Sequence, residues 1–250
     1  MRLIVPAVLN FYNNFIIIIF SFSTAGHGLS LQAPTHKTPT NVGLSQAPVS
    51  NRFLLKTENQ SLPLCFDVNG DVRLKLLHHP NSELSVNGEL DSVMHGGFKR
   101  IVIQVNADLY VDFVINNIIV REGTKVTNHT GRDPIKAGSL TIIRRDKEID
   151  VAGTHTHLVI LIHGKDSQEF LWPVLRKQSL DSAEGILALN PAVYEEVPQS
   201  AYTKLRIKDQ EIDVTRANAV DYSIIPPLTL DCWLMTAESA LQRRLDDFIV

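Results

Sequence analysis

Two cysteines constrain this chain more than any other feature. They stand near opposite ends of one long β-patterned stretch, in Leu64-Cys65-Phe66-Asp67-Val68 and in Leu230-Asp231-Cys232-Trp233-Leu234, and the chain has no others. Ahead of them lies a segment that reads as an export signal. Two thiols in an oxidising compartment are most simply explained by one disulfide joining the first strand to the last. The alternative is a pair of free, buried thiols. A bridge here would close a loop of roughly 170 residues, for which the chain-entropy model gives about 5 kcal/mol, against about 2–4 in most measurements.

The N-terminus carries the address. Arg2 supplies a positive start, Phe15-Ile16-Ile17-Ile18-Ile19-Phe20 an apolar run, and Ser23-Thr24-Ala25 the small residues of a cleavage site after Ala25. Residues 1–25 are therefore read as a secretory signal peptide. A competing reading is an uncleaved membrane anchor from Leu3 to Phe22, but Asn10, Asn13 and Asn14 interrupt it, each costly in hydrocarbon. No later segment is apolar for long enough to span a bilayer as a helix, so a secreted, extracellular product without a membrane span is expected. Residues 26–52 are rich in Pro, Ser, Thr, Gly and Gln without hydrophobic period, and read as a flexible linker. Two N-glycosylation sequons follow, at Asn59 and Asn128. Net charge is −3 with acids and bases interspersed, and no basic stripe points to nucleic acid.

From Phe53 onward, short apolar or alternating runs are separated by turn residues. Val72-Arg73-Leu74-Lys75-Leu76 alternates with period two, and Ile101 to Val105, Leu109 to Val120, Leu140 to Ile143 and Leu158 to Ile162 read as strands rich in β-branched residues. Leu158 to Ile162 is apolar enough to be central. Asn69-Gly70 and Asn87-Gly88 carry the two-residue hairpin signal, and Lys208 to Glu211 reads as a hairpin loop between Leu205–Ile207 and Ile212–Val214. Helical signal is thin. Asn190-Pro191 could cap and begin a short helix through Glu196, and Thr236 to Asp247 has apolar residues at helical spacing. The expected fold is mainly β with little helix, an antiparallel β-sandwich or strongly bent sheet over residues 53–250 as one domain.

Catalytic and metal signatures are missing from this pattern. His155, His157 and His163 would share one strand face, but no Cys or carboxylate in the nearby sequence completes a zinc site, and the adjacent His78 and His79 would point apart. There is no Gly-x-Ser-x-Gly elbow, glycine-rich phosphate loop or dinucleotide fingerprint. The pairs Glu195-Glu196 and Asp246-Asp247 read as solvated carboxylates, and Trp172 and Trp233 as packing residues. The expectation is a non-enzyme with no catalytic residue, no metal and no cofactor.

The order of several short words resembles one family. Leu64-Cys65-Phe66-Asp67-Val68 and the stretch His79-Pro80-Asn81-Ser82-Glu83-Leu84-Ser85-Val86-Asn87-Gly88-Glu89-Leu90 resemble the opening of the C-terminal domain of inter-alpha-trypsin inhibitor heavy chains, where Leu-Cys-Phe-Asn precedes a Pro turn and Ser-Val-Asn-Gly-Gln-Leu. Gly185-Ile186-Leu187-Ala188 sits where that family has His-Gly-Leu-Leu-Gly. Ile212-Asp213-Val214-Thr215-Arg216, Asp221-Tyr222 and Asp231-Cys232-Trp233-Leu234 look like its Leu-Thr-Val-Thr-Arg, Lys-Asp-Tyr and Ser-Cys-Trp-Phe segments. The resemblance spans about Phe53 to Val250. It implies a domain related to the von Willebrand type D fold, the two cysteines paired, and a role in the hyaluronan-rich extracellular matrix.

Two departures limit what carries over. The sequence contains no Asp-x-Ser-x-Ser motif, so a type A domain's cation site is not implied. The family also has Asp-Pro-His-Phe at the start of this domain, where cleavage frees an Asp carboxyl for ester linkage to glycosaminoglycan. Here the position reads Ser50-Asn51-Arg52-Phe53, so neither cleavage nor a covalent link is expected. Non-covalent association with hyaluronan or another glycosaminoglycan would need clustered cations, for which Lys99, Arg100, Arg144, Arg145 and Lys147 are the candidates. The alternative is a secreted β-sandwich that binds other carbohydrate or acts in adhesion, with no tie to hyaluronan.

Overall fold

A computed structural model describes residues 50–250 apart from 58, 81–83, 92–96, 155, 166, 179–182 and 198–202. The signal peptide, residues 26–49 of the linker, His155 and Asn81-Ser82-Glu83 lie outside the described residues. The chain starts with β1 (Ser50–Leu55), β2 (Leu64–Asn69), β3 (Arg73–His79), β4 (Leu84–Leu90), β5 (Phe98–Asn106) and β6 (Leu109–Val114). It continues through β7 (Asn117–Glu122), β8 (Lys125–His129), β9 (Ile135–Ala137), β10 (Leu140–Arg144), β11 (Glu148–Ala152), β12 (Thr156–Lys165) and β13 (Gln168–Gln178). After β14 (Tyr194–Glu196), β15 (Lys204–Ile207), β16 (Gln210–Asp213), β17 (Thr215–Asp221) and β18 (Leu228–Leu234) comes a short helix, α1 (Ala237–Leu241). The protein is mainly β, in curled antiparallel sheets consistent with a sandwich.

Three sheets form. The smallest is β14-β15-β16. A four-stranded sheet runs β1-β2-β18-β17, antiparallel except where Trp233 and Leu234 pair in parallel with Leu64 and Cys65. Arg52 Nη1 donates to the Asn218 carbonyl at 2.9 Å, so the two edge strands touch and the sheet curls. The large sheet has the order β8-β7-β6-β5-β13-β12-β11-β10-β9, with the β3–β4 hairpin joined through β5. It too rolls up, because Arg144 of β10 donates to the Ile115 carbonyl in the β6–β7 turn at 2.5 Å. Central β12 buries every residue from Leu158 to His163, as its unbroken apolar run requires.

Aromatic rings join the sheets. Phe53 of β1 stacks on Phe66 of β2 with ring centroids 5.5 Å apart, and meets Phe98 of β5 at 6.2 Å and Trp172 of β13 at 5.4 Å. Phe66 and Phe98 are almost wholly buried. Such rings bring large apolar area and prefer offset or edge contacts, which suits a seam between sheets.

The disulfide is present. Cys65 and Cys232, both fully buried, are bridged with Cα atoms 5.8 Å apart, inside the normal range. It links β2, the second described strand rather than the first, to the last strand. The strand ahead of β2 arises because Phe53, Leu54 and Leu55 pair with Phe66, Cys65 and Leu64, and it extends back to Ser50, three residues before the expected boundary. Asn51 is buried and accepts from the Gly97 N–H, and Arg52 forms a two-pronged pair with Asp67. These contacts hold the Ser50-Asn51-Arg52 segment inside the folded body. A formed disulfide is compatible with an extracellular protein, and no helix among the described residues is long and apolar enough to cross a membrane.

Several local expectations give way to tertiary context. Asn87-Gly88 is not a hairpin turn. It lies inside β4, with Gly88 paired to Leu74 on one side and Ile101 on the other. A Cβ at Gly88 would sit 2.5 Å from the Phe98 ring, so the glycine admits a core aromatic rather than a turn. Asn69-Gly70 is a turn, with Gly70 at φ 85°, yet it passes the chain from one sheet to another and closes no hairpin. The helix expected from Asn190 to Glu196 is absent: the segment ends in β14, anchored by the Tyr194 hydroxyl, which donates to the Leu62 carbonyl at 2.9 Å. A 3-10 turn at Ile186–Ala188 precedes it. The expected C-terminal helix shrinks to α1, capped by Thr236, and a 3-10 turn at Leu245–Phe248. The β15–β16 loop is a tight Lys208-Asp209 turn, shorter than the expected four residues.

Candidate functional site

The register of three strands builds one polar cleft. Val102 of β5 pairs with Asp112 of β6, which pairs with Ile119 of β7. In the next row Gln104 pairs with Tyr110, which pairs with Arg121. Alternation along a strand puts Arg100, Val102 and Gln104 on one face with Tyr110, Asp112, Ile119 and Arg121. The opposite face carries Ile101, Ile103, Val111, Phe113, Ile118 and Val120, all in the core.

Asp112 faces outward yet its side chain is only 4% exposed. Two guanidinium groups cover it. Arg100 Nη2 donates to Asp112 Oδ2 at 2.9 Å, and Arg121 Nη2 approaches the same oxygen at 3.3 Å. A shielded carboxylate needs a paired cation. Here it has two, both partly exposed, at 36% and 50%. They line a cleft of about 410 Å³ with Val102, Tyr110 and Asp108. Gln104 donates to the Tyr110 hydroxyl at 3.2 Å, fixing the ring beside the charges.

Of the five cations singled out in sequence, only Arg100 joins this cleft. Lys99 is paired with Glu89 at 3.1 Å. Arg145 reaches Glu148 at 2.6 Å and Asp150 at 3.2 Å, and Arg144 is spent on the Ile115 carbonyl. Lys147 is exposed on the β10–β11 hairpin. Four of the five are thus occupied by protein acceptors. Asp112, Arg121 and Tyr110 escaped sequence reasoning because they are distant in sequence from Arg100; only the registers of two hairpins assemble them. A charge at an outward position on each of three successive strands was the available signal.

The described histidines of this set make no shared site. His157 and His163 do lie on one face of β12, but six residues at about 3.3 Å each separate them by about 20 Å, far beyond common coordination. His157 is hydrogen-bonded to Asp150. His78 and His79 end β3, where His78 pairs its backbone with Glu184. Among the described residues no three His, Cys, Asp or Glu side chains form a metal-holding group. Trp233 is buried beneath the Arg216 guanidinium, 5.9 Å from its ring centroid. Glu195 is largely exposed, and Asp246 pairs with Arg244. Both sequon asparagines are exposed, Asn59 in a turn and Asn128 on edge strand β8.

A second depression, of about 330 Å³, lies beside Trp172, Leu187 and Tyr222, with Lys56 paired to Asp221 at its wall. Burial would raise the Asp221 carboxyl, but hydrogen bonds from Lys56 and Ser223 outweigh it and hold the group below its ordinary value. Burial lifts the Tyr222 phenol. Next to it, His163 donates to the Tyr222 carbonyl at 2.8 Å and stacks on Phe170. Burial pushes its imidazole below the usual range, and Lys147 adds to that push against the pull of the Tyr222 carbonyl and Asp221. The unfolded chain therefore gains a proton at His163 before the folded protein does. That contribution to stability is complete above about pH 6.5 and is lost as pH falls toward the folded value. Urea midpoints should drop between pH 7 and 5, and His163→Phe should flatten that slope while leaving the acid loss at lower pH from Asp221 and from Asp150, whose carboxyl burial would raise but hydrogen bonds from His157 and Arg145 hold low. An unchanged slope in the variant would contradict this assignment.

A larger depression, about 1170 Å³, is open and runs beside Asp67, Arg216 and Met235. Two of its charges are already matched internally, Asp67 with Arg52 and Arg216 with Asp231. No family model, curated protein or solved structure matches this chain.

Proposed function

We propose that the chain is a secreted, non-catalytic protein of the extracellular matrix or plasma, related to the C-terminal domain of inter-alpha-trypsin inhibitor heavy chains. Its role is non-covalent association with hyaluronan or a similar glycosaminoglycan. The observation that carries this reading is the Cys65–Cys232 bridge. It joins the two sequence words that bear the resemblance, Leu-Cys-Phe in β2 and Asp-Cys-Trp in β18, and it needs an oxidising compartment to persist. The von Willebrand type D relation belongs to the same kinship.

Covalent attachment is not part of this role. The Asp carboxyl that family chemistry requires is missing at Ser50-Asn51-Arg52-Phe53. The second reading is a carbohydrate-binding or adhesion module without a tie to hyaluronan, which the same Asp112 cleft would serve by stacking a neutral sugar on the Tyr110 ring.

Retention on immobilised hyaluronan separates the two. Protein purified from culture medium should be held at low salt and released as ionic strength rises, because exposed charge pairs are screened. Passage through hyaluronan, with retention on a neutral polysaccharide, would favour the second reading.

A further inference from the structure

We propose that the cleft over Asp112 binds the carboxylate of an acidic sugar, a uronate unit of a glycosaminoglycan chain, through Arg100 and Arg121. This inference rests on the matrix reading and assigns that reading its binding site.

The arrangement of charge motivates it. One guanidinium would neutralise Asp112, but the protein supplies two, and both meet a single carboxylate oxygen through one terminal nitrogen each. The Nε and Nη1 groups of both side chains have no protein partner among the described residues. Each guanidinium is planar, and with one Nη2 hydrogen directed at Asp112 its other Nη2 hydrogen and the adjacent Nε or Nη1 hydrogen can still meet a carboxylate in two-point contact. Asp112, itself shielded from water, holds both forks at the cleft before any ligand arrives. Binding then costs less side-chain ordering than it would at two free surface arginines.

The walls suit a sugar. The ring of Tyr110 and the Val102 side chain offer an apolar surface, and the Tyr110 hydroxyl, already accepting from Gln104, retains its proton to donate. At about 410 Å³ the cleft has the size of an ordinary small-ligand site. Asp108 is the opposing element. It stands exposed at the rim, in the β5–β6 turn, and offsets the second arginine. Recognition therefore depends on directed N–H donors more than on net field, and removing the Asp108 charge should tighten binding.

Calorimetric titration of the disulfide-bonded protein with a hyaluronan oligosaccharide, the same oligosaccharide with its carboxyls reduced to alcohols, and a heparin oligosaccharide tests this. The wild type should bind the first and lose it on carboxyl reduction. Arg121→Gln should weaken binding about tenfold or more with little change in melting temperature, and Asp108→Asn should strengthen it about twofold. Amide shifts on adding ligand should concentrate in residues 100–123. Unaltered hyaluronan binding in Arg121→Gln and Arg100→Gln would overturn the site and leave the matrix reading standing. Binding of heparin alone would overturn the carboxylate assignment. Absence of binding to any of the three would remove the matrix reading as well.

Discussion

Replacing both cysteines by alanine should lower the stability of this protein by about 3–4 kcal/mol and its melting temperature by about 10 °C. The reason lies in where the bridge sits. Cys65 and Cys232 are 167 residues apart, so the closed loop contains β3 through β17, while among the described elements β1 and the C-terminal helix and 3-10 turn lie outside it. In the unfolded chain that crosslink removes a large share of the conformations available to the two ends, which the chain-entropy model values at about 5 kcal/mol. Both sulfurs are fully buried against Leu54, Ala217, Ala219 and Leu234, so truncation also removes packing. The parallel pairing of β2 with β18 involves just Leu64–Trp233 and Cys65–Leu234, and the bridge reinforces that short contact. Denaturant unfolding of the double variant against the oxidised parent would measure the loss. A difference below about 1 kcal/mol would mean that the fold holds its ends together without the bridge.

The second large effect is expected at a glycine. Gly185 has φ 115° and ψ 170°, a combination only glycine adopts readily. A Cβ there would lie 2.5 Å from the Leu76 carbonyl oxygen and 2.8 Å from the Leu77 nitrogen, which are backbone atoms of β3. A side chain could rotate away; these atoms cannot. The neighbouring segment is also clamped, because Glu184 and His78 exchange backbone hydrogen bonds at 2.7 and 2.8 Å. Backbone strain and overpacking together predict a loss of about 2–5 kcal/mol for Gly185→Ala. Gly70→Ala is the matched comparison. Gly70 also has positive φ but nothing within 4 Å of its added Cβ, so it should lose only about 1 kcal/mol. Thermal melts of the two variants should differ by several degrees, and equal shifts would show that the β3 contact is not the source of the effect.

What could be read from sequence was what local chemistry decides. The alternation of Val72 to Leu76 and the β-branched run of Ile101 to Val105 became strands because side-chain period and burial agree there. The apolar Leu158 to Ile162 became an interior strand for the same reason. Misreadings occurred where a distant residue sets the local structure. Gly88 follows an asparagine, as in a hairpin turn, but its smallness serves the Phe98 ring, which belongs to the next strand. Asn190-Pro191 has the chemistry of a helix start, yet Tyr194 is tethered by its hydroxyl to Leu62, far earlier in the chain. The cationic candidates show the same division. Lys99 stands beside Arg100 and Arg145 beside Arg144 in sequence, yet the fold pairs Lys99 with Glu89, and Arg145 with Glu148 and Asp150. Arg100 instead gains Asp112 and Arg121, partners chosen by strand register and invisible to spacing.

The closure of the fold rests on the disulfide, and so do the compartment and the kinship proposed above. Peptide mapping without reduction, on protein recovered from culture medium and alkylated before digestion, tests that most directly. A linked peptide pair containing Cys65 and Cys232 is the predicted result, and both cysteines recovered as separate alkylated peptides would contradict it.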